Sequence, residues 1–332
     1  MVLKPELLFL KKDLKKLEGF LSDFAESLDG VLKKAVISTL NAGGKRIRPS
    51  LFFICARNGK YSIDYLLPAA AAIEIIHTAS LIHDDIIDKS TLRRGKTTIH
   101  NIYDRDTAKF VGDYLFTQTF YLLNGYKIPE ILNETAEAAR LLVKGEFNQL
   151  KTKRNIRQRE NIYLEKITEK TSSLFKLSCL LGGLLSKSEK DDIKNMQKFG
   201  EYIGISFQIN DDLLDVSNSG NGKNIGKPIG NDLRQGDVTL PYIYGSSNVN
   251  FKKQFEAFIS KESLSSLDVE KILNLLYGTD AIEKTRKKFE FYISRARIAA
   301  NMVKGEERRK ALLAVCDLIQ ADSGSLNNGD KG

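Results

Sequence analysis

Residues 66–94 read LLPAAAAIEIIHTASLIHDDIIDKSTLRR. At ~3.6 residues per turn, the apolar run fills almost five helical turns before ending in Asp84, Asp85 and Asp88 and then Arg93 and Arg94. Asp84 and Asp88 are four apart, so a helix sets both on one side, with Asp85 beside them. Carboxylates at a helix C-terminus oppose the macrodipole, which predicts a neutralising cation there. An all-oxygen set with no histidine at i+3 or i+4 selects a hard ion such as Mg²⁺. A second stretch, FGEYIGISFQINDDLLD at 199–215, repeats the pattern with Asp211, Asp212 and Asp215. One acidic turn on a helix is ordinarily a solvated face; two of them, each after an apolar helix and before a basic loop, point to metal and phosphate.

Outward from these stretches, apolar spacing of three and four predicts helices throughout. They cover 5–40 as one or two helices broken near Gly30, then 50–58, 104–125, 130–151, 156–181 up to a break at Gly182–Gly183, 188–216, and several more over 250–321. Strand-like alternation is hard to find, and none of the six prolines lies between Pro129 and Pro228. The expected fold class is all-α. The segment 43–49, GGKRIRP, reads as a basic loop, 89–100 as a polar loop, and 218–241, rich in glycine, as a long functional loop. No linker divides the chain, which reads as one domain over 1–321 with a frayed tail at 322–332.

The formal charge is +9, from 51 Lys and Arg against 42 Asp and Glu. Phosphorylated substrates, an anionic membrane or nucleic acid all fit such an excess. Lys11, Lys12, Lys15 and Lys16 read as a solvated face. With no tryptophan and no arginine tract interleaved with aromatics, a nucleic-acid partner is not expected. Cys55, Cys179 and Cys316 stand far apart and read as free thiols. The beginning of the sequence shows no secretory leader pattern. The run 66–82 carries Glu74 and His77 and reads as short of a membrane span. A soluble cytoplasmic protein is expected.

Lys45 and Arg48 in GGKRIRP, Arg93 and Arg94, Lys170 in EKTSSLF and Lys227 in GKPIG are candidate phosphate ligands, arginine as a planar fork and lysine as a point charge. As a set beside two acidic clusters, they suggest two diphosphates. His77 lies two turns before Asp84 on the same side, with Ser80 between, and reads equally as a core histidine or a ligand. His83 faces about a quarter turn away from Asp84 and reads as structural.

These stretches resemble the trans-isoprenyl diphosphate synthases, in the long-chain polyprenyl type. The resemblance rests on GGKRIRP (43–49), HTASLIHDDIIDKSTLRRGKTTIH (77–100), VGDYLF (111–116), KGEFNQL (144–150), EKTSSLF (169–175), FQINDDLLDV (207–216) and GKPIGNDLRQGDVTLP (226–241), in the family's order. It implies a single bundle of long helices around a deep central cavity, as a homodimer. It further implies that Lys45, Arg48, His77 and Arg94 bind isopentenyl diphosphate. Asp84 and Asp88 then match the first Mg²⁺ site, with Asp85 in the same motif, and Asp211 the second. Arg93, Lys170, Thr171, Gln208 and Lys227 match residues that hold the allylic diphosphate. One position departs: Asp237 stands where many relatives have lysine.

The chemistry so implied ionises an allylic diphosphate, adds the isopentenyl double bond to the cation, and returns a proton to the departing pyrophosphate. Positive charge on the leaving group and a water-free cavity favour that course. Short-chain members place bulky residues four and five positions before the first aspartate. Here Ser80 and Ala79 are small, and Ala69–Ala72 lie deeper, which points to hexaprenyl-to-decaprenyl products, released with peripheral membrane contact. Phe116 and Phe120 are candidates for the pocket floor. The alternatives are a farnesyl or geranylgeranyl synthase, a terpene cyclase, a histidine-dependent phosphohydrolase or a non-catalytic partner subunit. The cyclase has no use for the isopentenyl cations, and the phosphohydrolase needs more than the three histidines present.

Overall fold

The structure, a computed structural model, describes residues 4–57, 61–217, 229–261 and 263–324. In chain order the helices are α1 Leu10–Glu26, α2 Gly30–Leu40, α3 Ile47–Ala56 and α4 Ile63–Ile87. Two two-residue strands follow, β1 Leu92–Arg93 and β2 Lys96–Thr97, then α5 Ile99–Ile102, α6 Arg105–Asn124 and α7 Pro129–Thr152. Next come α8 Glu160–Ile167, a π-helical turn Thr168–Ser172, α9 Ser173–Leu185 and α10 Lys190–Val216. The chain closes with α11 Asn231–Arg234, α12 Leu240–Gly245, α13 Val249–Ile259, α14 Ser266–Tyr277, α15 Ala281–Asn301 and α16 Glu306–Gly324. The all-α expectation holds.

Two compact units divide the chain. The first comprises Met1–Glu137, Leu174–Gln197 and Ala300–Ala314. Its α1 is amphipathic: Leu10, Leu17, Leu21 and Ala25 are buried, while Lys11, Lys12, Lys15 and Lys16 are exposed. That lysine cluster is the solvated face its spacing predicts. Helix α4 is apolar on nearly every side and packs along α6. Burying each of Ile73, Ile75, Ile76 and Ile82 contributes roughly 1.5–3 kcal/mol. By length and composition α4 could cross a membrane, contrary to expectation, but 72% of its most apolar window is buried inside the protein. It is a core helix.

Pro68 lies inside α4 and lacks an amide proton. Beside it, the Tyr126 hydroxyl enters the helix ladder: it accepts from the Ala69 N–H at 3.2 Å and donates to the Tyr65 carbonyl at 2.5 Å. The expected break at Gly182–Gly183 does not occur, for both glycines lie within α9. Gly182 instead lets α3 come close, since a Cβ there would stand 2.5 Å from the Phe52 carbonyl oxygen. The expected polar loop 89–100 is a β-hairpin with Arg94–Gly95 at its tip. Both tip residues have positive φ, +51° and +76°, as a tight hairpin turn requires.

The second unit comprises Ala138–Ser173, Lys198–Ala299 and Val315–Gly332. Its core gathers Val216, Leu233, Val238 and Val269 around Tyr242, Phe251 and Phe255, whose rings stack at 5.4 and 5.2 Å. Helix α14 starts on a reciprocal cap between Ser265 and Asp268. Helix α16 runs through Gly324, three residues into the expected tail.

Candidate active site

In the first unit the site is built on the C-terminal half of α4. Asp84 and Asp88 are half-buried one turn apart, and the Asp88 N–H donates to the Asp84 carbonyl at 2.8 Å. Asp85 points elsewhere. It is buried and accepts from Arg93 Nε at 2.7 Å, an ion pair that ties the hairpin to the helix end. Burial raises the Asp85 pKa above the carboxylate norm, and Arg93 opposes that rise. The acidic motif therefore divides: Asp85 is structural, while Asp84 and Asp88 share the half-open side. Among the described residues no three His, Cys, Asp or Glu side chains converge to hold a metal. Two carboxylates with solvent access match what Mg²⁺ takes from a protein when phosphate and water complete its shell.

Two turns back on the same side, His77 Nε2 lies 3.1 Å from Arg48 Nη1. Arginine only donates, so Nε2 is assigned as acceptor and the ring proton goes to Nδ1. Burial, then the guanidinium groups of Arg48, Arg94, Arg93 and Arg46, hold the His77 pKa well below 6.5, so the imidazole is neutral at physiological pH. The unfolded chain binds this proton more readily, so stability is complete above pH 6.5 and falls as pH drops below it. Denaturant titrations between pH 7 and pH 5 should show a steeper loss for the wild type than for His77→Gln; equal slopes would contradict the assignment.

Arg48 also stacks over the Phe175 ring at 4.7 Å. Lys45 is exposed on the loop before α3. Arg94, at the hairpin tip, lays its guanidinium against Gly44, which joins the hairpin to the GGKRIRP loop. Arg46 was not among the residues that sequence spacing selected, yet it anchors this loop. It adopts a left-handed backbone at φ +47° and pairs with Glu18 at 2.6 Å and with Glu74 of α4 at 2.5 Å. The signal was Glu74, a carboxylate inside an apolar helix that needs a buried partner. Arg46, Arg93, Arg94, Lys96 and His100 line one pocket together with Glu74 and Asp85; Lys45, Arg48 and His77 are not in its lining.

Ala79 is fully buried, whereas Ser80 is half-buried and donates to the His77 carbonyl at 2.8 Å. On α6, Phe116 and Phe120 are half-buried with ring centroids 6.0 Å apart. His83 faces α6, 3.2 Å from Asp113, in the structural place expected of it.

In the second unit the acidic motif divides again. Asp211 is exposed. Asp212 is buried and accepts from the Tyr163 hydroxyl at 2.5 Å, from Gln208 Nε2 at 3.1 Å and from the Leu240 N–H at 3.4 Å. Burial pushes its carboxyl up to about 7 against those donors. Asp215 caps α11 through the N–H groups of Asn231 at 3.0 Å and Asp232 at 3.3 Å. The shared spacing of Asp211, Asp212 and Asp215 thus leads to three different settings.

The π-helical turn presents Lys170 and Thr171. Thr171 donates to Gln208 Oε1 at 2.9 Å, so Gln208 links it to Asp212. Lys170 donates to Gln149 Oε1 at 2.9 Å and pairs with Glu146, both on α7. This turn fits because residue 145 is glycine: a Cβ there would stand 2.4 Å from the Lys170 amide nitrogen. Lys166, a buried cation that sequence reading passed over, has its pKa lowered by burial, with Asp237 and Asp212 opposing. Lys227 lies outside the described residues.

Residues 29–276 match the polyprenyl synthetase family. The chain is 36% identical over 296 residues to the heptaprenyl diphosphate synthase component 2 of Geobacillus stearothermophilus, covering 89% of this chain and 91% of that one. Among solved structures, the heptaprenyl diphosphate synthase of Staphylococcus aureus superposes with a TM-score of 0.88 at 31% identity, over 95% of this chain and 99% of that one. The polyprenyl synthase of Caulobacter crescentus, complexed with calcium and isoprenyl diphosphate, gives 0.87 at 30% identity over 95% and 96%. With a family match over most of its length and relatives this similar, the chain belongs to the polyprenyl synthetase family and is a prenyltransferase of isoprenoid biosynthesis.

Proposed function

We propose that this chain condenses isopentenyl diphosphate with an allylic diphosphate, head to tail and in trans, to make a long-chain all-trans polyprenyl diphosphate with Mg²⁺. The observation that carries this reading is the half-open side of α4, where Asp84 and Asp88 follow a neutral His77 held by Arg48. That side combines a carboxylate pair for a hard cation with a phosphate-binding guanidinium, and it needs no nucleophile.

Asp84, Asp88 and Asp211 would hold Mg²⁺, which when bound supplies positive charge to the departing diphosphate. Lys170, Lys227 and Arg93, with Thr171 and Gln208, bind the allylic diphosphate. Lys45, Arg48, His77 and Arg94 bind and orient isopentenyl diphosphate, so its double bond is placed before the allylic bond breaks. Apolar side chains of α4 keep water from the allylic cation. The proton lost after condensation passes to the pyrophosphate.

Ser80 is the small residue that shares the half-open side with His77 and Asp84, so it governs how far the product extends. The expected result for Ser80→Phe is a product several isoprene units shorter than wild type, read by chromatography of the dephosphorylated alcohols. A wild-type enzyme that stops at farnesyl or geranylgeranyl would overturn the long-chain reading. An unchanged length in the variant would place the growing chain elsewhere.

We place the enzyme in the cytoplasm as a homodimer with peripheral membrane contact for product release; three buried free thiols support a reducing compartment. On α6, Phe110 and Tyr121 are 67% and 75% exposed, an apolar face suited to a second copy. The word component in the Geobacillus relative's name favours a second reading, in which another polypeptide completes the enzyme. Light scattering on the purified chain, about twice 37.3 kDa for a homodimer, together with turnover in the absence of any other protein, decides between them.

A further inference from the structure

Asp237 is buried, only 6% exposed, between α11 and α12. Its backbone is fixed on both sides. Gly236 before it takes φ +81° and its carbonyl accepts from the Arg154 N–H at 2.7 Å, while the Asp237 N–H donates to the Asp232 carbonyl at 2.8 Å. The carboxylate therefore has a set direction, and its Oδ2 accepts from Gln149 Nε2 at 2.9 Å. The other end of the same amide, Oε1, accepts from Lys170 Nζ at 2.9 Å.

A glutamine amide has one donating end and one accepting end. A carboxylate only accepts, so it takes the NH₂ end of Gln149 and turns the carbonyl toward Lys170. A lysine at 237 would instead donate to Gln149 and turn the amide round, setting its NH₂ against the Lys170 ammonium. Glu146 also pairs with Lys170 and supplies charge. It does not fix the amide.

We infer that Asp237 is a positioning residue: acting through the amide of Gln149, it holds the Lys170 ammonium where that group meets the allylic diphosphate. The inference rests on the proposed role of Lys170 as an allylic diphosphate ligand. Losing the hold on Lys170 weakens one substrate selectively, because the proposed isopentenyl ligands sit on the loop before α3, on α3 and α4, and at the hairpin tip.

The test measures KM for each substrate and kcat for Asp237→Ala, Asp237→Asn, Gln149→Leu and Lys170→Ala in the full chain, with circular dichroism confirming the fold. Asp237→Ala and Gln149→Leu are expected to raise the allylic KM about tenfold, the worth of one charge-assisted hydrogen bond, and to leave the isopentenyl KM within about twofold. Asparagine keeps an acceptor for Gln149, so Asp237→Asn should restore most of the allylic KM; if the alanine variant does not fold, it and Gln149→Leu carry the test. Combined with Lys170→Ala, neither Asp237→Ala nor Gln149→Leu should add a further loss. Losses that multiply, equal changes in both KM values, or a folded asparagine variant as weak as alanine would overturn the inference; the last would assign Asp237 to charge balance with Lys166. If Lys170→Ala alone leaves the allylic KM unchanged, the underlying ligand assignment fails instead.

Discussion

Asp84→Ala lowers kcat/KM by about 10²–10³-fold, the scale for losing a group that stabilises charge in the transition state, while circular dichroism stays that of the wild type. Asp84 is half-exposed in the last turn of α4, where a negative charge opposes the helix dipole. Removing it relieves that repulsion, by roughly 0.3–1 kcal/mol for an exposed site. Turnover should therefore be lost while the helical fold is kept. Asp85→Ala makes the contrast. It leaves Arg93 without its 2.7 Å carboxylate and loosens the hairpin, so its melting temperature should fall. Calorimetry and steady-state kinetics on the pair separate a ligand from a brace within one motif. An active, normally folded Asp84→Ala enzyme would remove the carboxylate pair from the mechanism.

Gly145→Ala carries the second large effect, and it acts by crowding the segment that carries a proposed ligand rather than by replacing the ligand. The added methyl would stand 2.4 Å from the Lys170 amide nitrogen and 2.8 Å from its Cα. Both are backbone atoms, so no side-chain rotation relieves the contact. Either α7 or the π-helical turn must move, at about 1–3 kcal/mol for overpacking. Lys170 and Thr171 sit on that turn, and a shift near 1 Å in a positioning group costs on the order of 10²-fold in rate. The expected outcome is a folded protein with a lower melting temperature, an allylic kcat/KM down about 10²-fold, and an isopentenyl KM close to wild type. Wild-type kinetics in this variant would show that the close approach does not set the place of Lys170.

The sequence exposed the frame of this molecule more readily than its fine divisions of labour. Three- and four-residue spacing sufficed for α1, α6 and α7, because each buries one stripe, and the stripe is a property of local sequence. The same rule placed a break at Gly182–Gly183, but Gly182 serves the close approach of α3 and Gly183 faces Ile193 and Met196 of α10. Such a tertiary contact leaves no local trace. Spacing gave two acidic triplets of like pattern, whereas the fold buries Asp85 and Asp212, uses half-buried Asp215 to cap α11, and leaves Asp84 and Asp88 half-buried and Asp211 exposed. What differs is the partner of each carboxylate, and Arg93, Tyr163 and the α11 amides come from distant stretches. Arg46 hid among ligand-like cations for the same reason. The π-helical turn under Lys170 was invisible because its cause, the missing Cβ at residue 145, lies on another helix.

On the proposed function, elongation by this chain depends on Mg²⁺ held by its aspartate carboxylates. The most direct test is one reaction: the purified protein alone with labelled farnesyl diphosphate, isopentenyl diphosphate and Mg²⁺, run with and without chelator. The account predicts label in polyprenyl products of hexaprenyl length or longer, none with chelator, and full recovery when Mg²⁺ is restored. Elongation that proceeds undiminished in chelator would contradict it.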